Sequence, residues 1–200
     1  MLESTQRRLG IVAAGMLMPV ALTAQTNIWS LQNLGNDATI HYEISHTKDG
    51  ATQSGQFEIT TANSGGQLMA TVNASLGENT CSSTTPLQNT QAVQMQLIMS
   101  CMAFAPVAMT MFAPTWAMFA MTTWELGSQM DMSQSGRQFS FEITEECTHA
   151  GVTGLLAKLR TDDTEWDTCA KQDMPIPLSV RMANSNEVIQ ATLTRYNVGN

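Results

Sequence analysis

The stretch that decides the fold is residues 91–121, QAVQMQLIMSCMAFAPVAMTMFAPTWAMFAM, which is the most apolar part of the 200-residue chain. It lies within a longer run, residues 79–124, that contains no Asp, Glu, Lys or Arg. A soluble protein rarely leaves so large an apolar surface open to water. A sheet face, a bound lipid, a bilayer or a protein partner must therefore cover this segment, and the identity of the cover decides the function.

The first half of this stretch is predicted to be helical. Residues 91–105 consist mainly of good helix formers with few β-branched residues, and apolar side chains lie almost all round the helix. Pro106 and Pro114 then stop or bend the helix, because proline lacks a backbone N–H and clashes with the preceding turn. We therefore expect an apolar helical insertion over residues 91–121, made of short pieces with a bend at each proline.

The chain on both sides of the insertion alternates between apolar and polar residues, which is the pattern of strands with one buried face. Turns at Gly50 and Gly65 join the first three strands into an antiparallel meander. The predicted strands cover residues 37–45, 53–61, 67–76, 137–145, 152–160, 165–170, 178–182 and 189–193, with a short additional strand at 128–133. We predict a mainly β (α+β) fold, in which about eight strands form a curved antiparallel sheet or half-barrel with the helical insertion in its concave face.

The first 24 residues have the pattern of an export signal. Arg7 and Arg8 form a positive start, residues 11–22 are apolar, and cleavage is expected after Ala24. An apolar core of 12 residues is too short to cross a hydrocarbon layer of ~30 Å. We expect residues 1–24 to be a signal peptide, residues 25–200 to form a single half-barrel domain, and the mature protein to be periplasmic or extracellular.

Four cysteines in an exported chain most economically form two disulfides. Three pairings are possible, and we favour Cys81–Cys101 together with Cys147–Cys169. The first pair ties the apolar segment to the chain before it, and the second flanks a predicted hairpin. The alternative of a metal site has little support, because the sequence has no Cys-x-x-Cys and its lone Cys147-Thr148-His149 has no second pair at ligand spacing.

The charge of the chain excludes several partners. Nine Lys and Arg against 17 Asp and Glu give a net charge of -8, which repels nucleic acid and anionic membranes. Catalytic patterns are also missing from the sequence, which has no Gly-x-Ser-x-Gly, no His-Glu-x-x-His and no phosphate-binding glycine loop. We expect a protein that is not an enzyme, needs no cofactor or metal, and does not bind nucleic acid.

The order of these features resembles the LolA/LolB-like lipoprotein-carrier superfamily. The resemblance rests on the signal peptide, the one-faced meander, the interposed apolar helical segment, the second meander and a closing hairpin. This hairpin has the pattern Pro-x-Pro-Leu-x-Val at residues 175–180, followed by Ala-Thr-Leu-Thr-x-Tyr at residues 191–196. The resemblance implies a half-barrel whose cavity holds acyl chains or another hydrophobic ligand.

We therefore predict that the 91–121 segment lines an apolar cavity that binds a lipid-like or other hydrophobic molecule. The predicted lining residues are Met95, Ile98, Met102, Phe104, Met109, Phe112, Trp116 and Phe119. A first alternative is an accessory or structural subunit that docks residues 102–121 on a protein partner or a membrane.

A second alternative is a Cu(I)-binding protein, since the chain has 15 methionines and thioethers are soft ligands. Met95, Met99 and Met102 would lie on one helix face, whereas Met109 and Met111 would align on an extended chain. Flexible methionine is, however, also the usual filler of adaptable apolar surfaces. Copper-handling segments tend to be polar, whereas these methionines lie among Phe, Ala and Leu.

Overall fold

A computed structural model of the chain describes residues 34–87, 100–111, 124–134, 137–174 and 176–198. The predicted signal peptide at residues 1–24 lies outside the described residues. Of the predicted insertion at 91–121, only residues 100–111 are described.

The described residues form one open, curved antiparallel sheet of ten strands. The strands are β1 (Thr39–Lys48), β2 (Ala51–Ser64), β3 (Gln67–Leu76), β4 (Asn79–Pro86), β5 (Gln129–Gln134), β6 (Arg137–His149), β7 (Val152–Thr161), β8 (Thr164–Ala170), β9 (Ser179–Asn184) and β10 (Glu187–Asn197). Their order across the sheet is β4-β3-β2-β1-β10-β9-β8-β7-β6-β5. Sequential strands are therefore neighbours throughout, except where the chain passes from β4 to β5 and where β1 meets β10.

The predicted number of about eight strands is wrong, because the sheet has ten. The strand absent from the prediction is β4, which pairs with β3 along its full length. Its sequence, NTCSSTTP, has no apolar alternation, so the period-two pattern does not identify it. The short strand expected at 128–133 exists as β5, and the strand expected at 178–182 continues as β9 to Asn184.

Two glycines inside strands mark places where neighbouring backbones come unusually close. An ideal Cβ on Gly55 in β2 would lie 1.8 Å from the Ser75 carbonyl oxygen, and one on Gly154 in β7 would lie 2.4 Å from the Ala170 carbonyl oxygen. Contacts of this kind require a residue without a side chain. Both glycines therefore allow a local approach of strands in the curved sheet.

The buried side chains form two clusters. The larger cluster draws on β1, β2, β3, β9, β10, the helix and residues 174, 176 and 178, and includes Tyr42, Phe57, Phe104 and Leu193. The smaller cluster contains the buried residues Phe141, Ile143, Ala157 and Leu159 of β6 and β7. Partly buried large side chains surround this smaller cluster.

The described part of the apolar segment is a 3-10 helix, Met102–Phe104, followed directly by the α-helix α1, Ala105–Met111. Pro106 is the second residue of α1, a position where the missing N–H costs nothing, so the break falls before the proline as expected. The contacts of α1 with the sheet are concentrated on β9 and β10. The placement of the whole insertion in a concave face remains a prediction.

Two disulfides, Cys81–Cys101 and Cys147–Cys169, have the pairing that the sequence favours. Cys147 is opposite Gly154 on β7, and Cys169 is opposite Leu156 on the same strand. The second disulfide therefore spans β7 on the face of Gly154. Its Cα atoms are 6.0 Å apart, against about 9–10 Å for strands two apart in a flat sheet, so the sheet bends sharply here.

Candidate hydrophobic ligand site

The helical segment has a buried side and an exposed side. Phe104, Val107 and Met111 are buried in the larger cluster. Met102 and Met109 point the other way, with 80% and 57% of their surfaces exposed. Met102 and Met109 are seven residues apart, which places them near one line on a helical surface. The segment therefore offers two large apolar side chains to an external partner or ligand.

The predicted lining residues do not share one surface in the part of the chain that is described. Phe104 packs inside the larger cluster, whereas Met102 and Met109 face outward. The remaining five predicted residues, Met95, Ile98, Phe112, Trp116 and Phe119, lie outside the described residues.

Met109 and Met111, which would align on one side only in an extended chain, do not lie side by side. Residues 105–111 are helical, and positions two apart on a helix point in nearly opposite directions. Met109 is accordingly exposed while Met111 is fully buried. These two sulfurs cannot share one copper ion in this conformation, and the wider copper hypothesis remains a prediction about residues that are largely undescribed.

Apolar side chains that are only partly buried surround the smaller cluster and form a rim. This rim consists of Trp124, Met130, Leu155 and Trp166. Met130 is opposite Phe141 in the register of β5 and β6, and Trp166 is opposite Leu159 in the register of β7 and β8. Two tryptophans, a leucine and a methionine thus present incompletely covered apolar surface on one side of the sheet.

Sequence reasoning missed this rim because it concentrated on residues 91–121. The signal was present in the alternation of β6, where Phe139, Phe141 and Ile143 share one face. The strands that flank β6 in a meander must present apolar residues on the same side. Met130 of β5 and, one strand beyond β7, Trp166 of β8 have that parity.

A shallow hollow of about 670 Å³ lies at one end of the rim. Trp124, Leu155 and Gly154 contribute its apolar part, and Glu146, Thr153, Lys171, Gln172 and Asp173 contribute its polar part. The Lys171 ammonium lies 3.2 Å from the Asp173 carboxylate, so the two charges largely cancel. The hollow thus combines apolar and polar lining residues, which suits an amphipathic molecule.

Three titratable groups among the described residues have a shifted pKa. Burial, followed by the nearby Tyr196, raises the pKa of Tyr42 well above its ordinary value, and burial followed by Asp173 raises the pKa of Tyr196. Burial lowers the pKa of His149. Across the described residues, no group of three or more His, Cys, Asp or Glu side chains is placed to hold a metal ion.

None of the helices in the described ranges is long and apolar enough to cross a membrane.

The chain matches no protein-family model and no curated protein sequence. Among solved structures, it resembles the crystal structure of LolA superfamily protein NE2245 from Nitrosomonas europaea. The two chains are 10% identical, and the match covers 90% of this chain and 93% of that one with a TM-score of 0.33. A similarity at this level is one of outline and assigns neither a family nor a function to this protein.

Proposed function

We propose that this chain is an exported, non-enzymatic protein that binds a lipid-like or other hydrophobic ligand. The observation that carries the proposal is the rim of Trp124, Met130, Leu155 and Trp166, whose apolar side chains remain partly exposed around the smaller cluster. The contacts of α1 are concentrated on β9 and β10. An apolar ligand over the smaller cluster would cover the rim.

Two further observations support this function. The outward-facing Met102 and Met109 add adaptable apolar surface on the same segment that the sequence identifies, and methionine suits ligands of variable shape. The two disulfides suit an oxidising compartment such as the periplasm or the cell exterior, in agreement with the signal pattern of residues 1–24.

The experiment begins with protein purified gently without detergent. Native mass spectrometry and organic extraction then identify any lipid that co-purifies. Delipidated protein is titrated with a 16-carbon fatty acid while tryptophan fluorescence is recorded, since two of the four tryptophans lie in the rim. We expect saturable binding with a change in tryptophan emission.

A matched pair of variants localises the site. Leu155→Glu places a charge in the rim and should weaken fatty-acid binding by at least about tenfold, because the charge must lose water when the ligand covers it. Leu126→Glu is the control, since Leu126 is already 55% exposed and is not part of the rim. Trp166→Ala is a second rim variant in case Leu155→Glu folds poorly. The proposal would be wrong if the rim variants and the control bound the fatty acid equally well, or if the wild-type protein did not bind it.

A second candidate function, docking of the apolar segment on a protein partner, is favoured by the exposure of Met102 and Met109. In that case a stable complex should form in the native extract and should be lost in the Met102→Glu, Met109→Glu double variant. Fatty-acid binding at the rim should be unchanged in the same variant. The two candidates are therefore separated by one pair of measurements.

A further inference from the structure

A polar groove of about 690 Å³ lies on the opposite face of the sheet from the larger cluster. It crosses β10, β1, β2 and β3, and its side chains come mainly from Glu43, Ser45, Ser54, Gln56, Ser75 and Gln190. Tyr42 and Ile44 are buried in the larger cluster, so Glu43 and Ser45, which alternate with them along β1, face the other way. The groove is therefore separate from the helix and from the rim.

The side chains of this groove have almost no partners among the residues that the structure describes. Glu43, Ser45, Ser54, Gln56 and Ser75 make no side-chain hydrogen bond or ion pair within the described parts of the chain. Gln190 makes one long contact, in which its amide donates to the Thr192 hydroxyl at 3.4 Å. A carboxylate, two amides and three serine hydroxyls thus remain available to a ligand.

Several side chains elsewhere on the same polar face pair with one another. On one side of the groove, the hydroxyls of Thr71 and Thr84 are 2.9 Å apart, and Ser82 donates to Asn73 at 2.7 Å. On the other side, the hydroxyls of Thr47 and Thr52 are 2.8 Å apart. The groove side chains named above lack such pairing within the described residues.

The shape of the groove suits a small, extended ligand. The register places Thr192, Glu43, Gln56 and Ser75 side by side on four adjacent strands. Four strands span ~14 Å at the usual strand spacing. The volume also falls within the roughly 300–1,000 Å³ of ordinary small-molecule sites.

The chemistry of the lining narrows the class of ligand. Lys and Arg are missing from the lining, and Glu43 is its only charged residue, so an anionic ligand is disfavoured. Aromatic side chains are also missing, which disfavours a flat apolar ligand. Carboxylate oxygens accept hydrogen bonds, and amides and hydroxyls both donate and accept, so together they match neighbouring hydroxyl groups. We propose that this groove is a binding site for an uncharged carbohydrate.

The test uses the whole mature protein labelled with 15N and three neutral probes, maltotriose, cellotriose and N,N′,N″-triacetylchitotriose. At ~10 mM sugar, a site with a dissociation constant near 1 mM is about nine-tenths filled. We expect at least one probe to give saturable shifts of backbone amide signals confined to the groove, led by Ser45, Gln56 and Ser75. The protein should remain folded and disulfide-bonded throughout.

Variants decide whether the shifts report the groove. Glu43→Ala and Gln56→Ala should each weaken binding about tenfold, the usual effect of losing a charged or bidentate hydrogen bond. Glu58→Ala is the matched control, because Glu58 is on the same face of β2 but outside the groove. All three positions are at least partly exposed, so the variants should fold.

Three results would overturn the proposal. They are the absence of saturable shifts with all three sugars, binding that Glu43→Ala and Gln56→Ala leave unchanged, and binding only of a cationic sugar such as glucosamine. None of these results bears on the hydrophobic ligand, whose site lies on a different surface and is probed with a fatty acid.

Discussion

The two buried clusters of this protein differ in how completely their edges are covered. The larger cluster lies over β1, β2, β3, β9 and β10 and is closed by α1 and by residues 174, 176 and 178, so that Phe104 and Phe57 are almost fully buried. The smaller cluster has four buried residues, and its rim includes two partly exposed tryptophans, Trp124 and Trp166. A closed cluster stabilises the fold, whereas an incompletely covered one leaves apolar surface for a ligand.

The sharpest test of this difference replaces one equally buried phenylalanine in each cluster. Phe104 and Phe141 are both 2% exposed. Phe104→Ala should lower the free energy of unfolding by about 4–5 kcal/mol, because its surroundings cannot collapse into the cavity. Phe141→Ala should cost about 3 kcal/mol, since the partly exposed rim residues can move inward.

Urea unfolding with intact disulfides measures both free energies. Met102→Ala serves as the control on the exposed side of the helical segment and should change stability by less than about 0.5 kcal/mol. Equal losses for the two phenylalanines would mean that the smaller cluster is packed as rigidly as the larger one.

The two disulfides provide the next test, because they close loops of nearly equal length. The paired cysteines are 20 and 22 residues apart, so each bond should contribute about 3 kcal/mol through loop entropy. Their local effects should differ. The Cys81→Ala, Cys101→Ala variant releases the helical segment from β4, whereas the Cys147→Ala, Cys169→Ala variant loosens the bend across β7.

Hydrogen exchange separates these effects. In the first variant, the amides of α1 should lose protection while those of β6 to β8 keep theirs. In the second variant, the amides of β6 to β8 should lose protection while those of α1 keep theirs. Similar losses in both regions for each variant would show that the two clusters open together as one unit.

Alanine substitutions at the two strand glycines test how closely neighbouring backbones approach each other in the two regions. Gly55→Ala should destabilise the protein by about 2–3 kcal/mol, because the new methyl group would lie 1.8 Å from the Ser75 carbonyl oxygen. Gly154→Ala should cost about 1–2 kcal/mol, since the corresponding distance to the Ala170 carbonyl oxygen is 2.4 Å. Thermal unfolding monitored by circular dichroism checks the order, and a neutral Gly55→Ala would contradict the close approach.

The fold was predictable from sequence where local pattern and tertiary packing agree. In β1 to β3 the apolar residues alternate strictly, and β3 has the predicted bounds of residues 67–76. The pattern failed at β4, where serine and threonine alternate with nothing apolar, and pairing with β3 alone makes the strand. The pairing of the cysteines was predictable because each favoured pair joined elements that the sequence pattern already placed close together.

The site was less predictable, because it depends on which surfaces remain uncovered. Sequence identifies Phe104, Met102 and Met109 as apolar but cannot assign them to the buried or the exposed side without the helix register. The irregularity between Ile143 and Glu145 is a further case, since it places Cys147 on the opposite face from Ile143. Strict alternation would place both residues on the same face.

The smallest expected effect concerns Tyr42 at the centre of the larger cluster. Its hydroxyl donates to the Pro177 carbonyl oxygen at 2.5 Å, and its ring meets Phe57 edge to face. Tyr42→Phe keeps the ring and removes only the hydrogen bond. It should therefore lower the free energy of unfolding by on the order of 1 kcal/mol near pH 7.

The stability difference between wild type and Tyr42→Phe should also depend on pH, in a direction that the pKa of Tyr42 determines. Burial raises the pKa of Tyr42 in the folded protein, so above about pH 10 the unfolded chain releases a proton that the folded protein keeps. The contribution of Tyr42 to the free energy of unfolding is fully present below that pH. It is lost as the pH rises toward the pKa of Tyr42 in the folded protein. Because Tyr42→Phe removes this contribution and leaves only Tyr196, the variant should lose stability less steeply above pH 10, and the difference from wild type should shrink. Urea unfolding at pH 8, 10 and 11 measures the trend, and parallel curves would place Tyr42 in contact with water rather than inside the larger cluster.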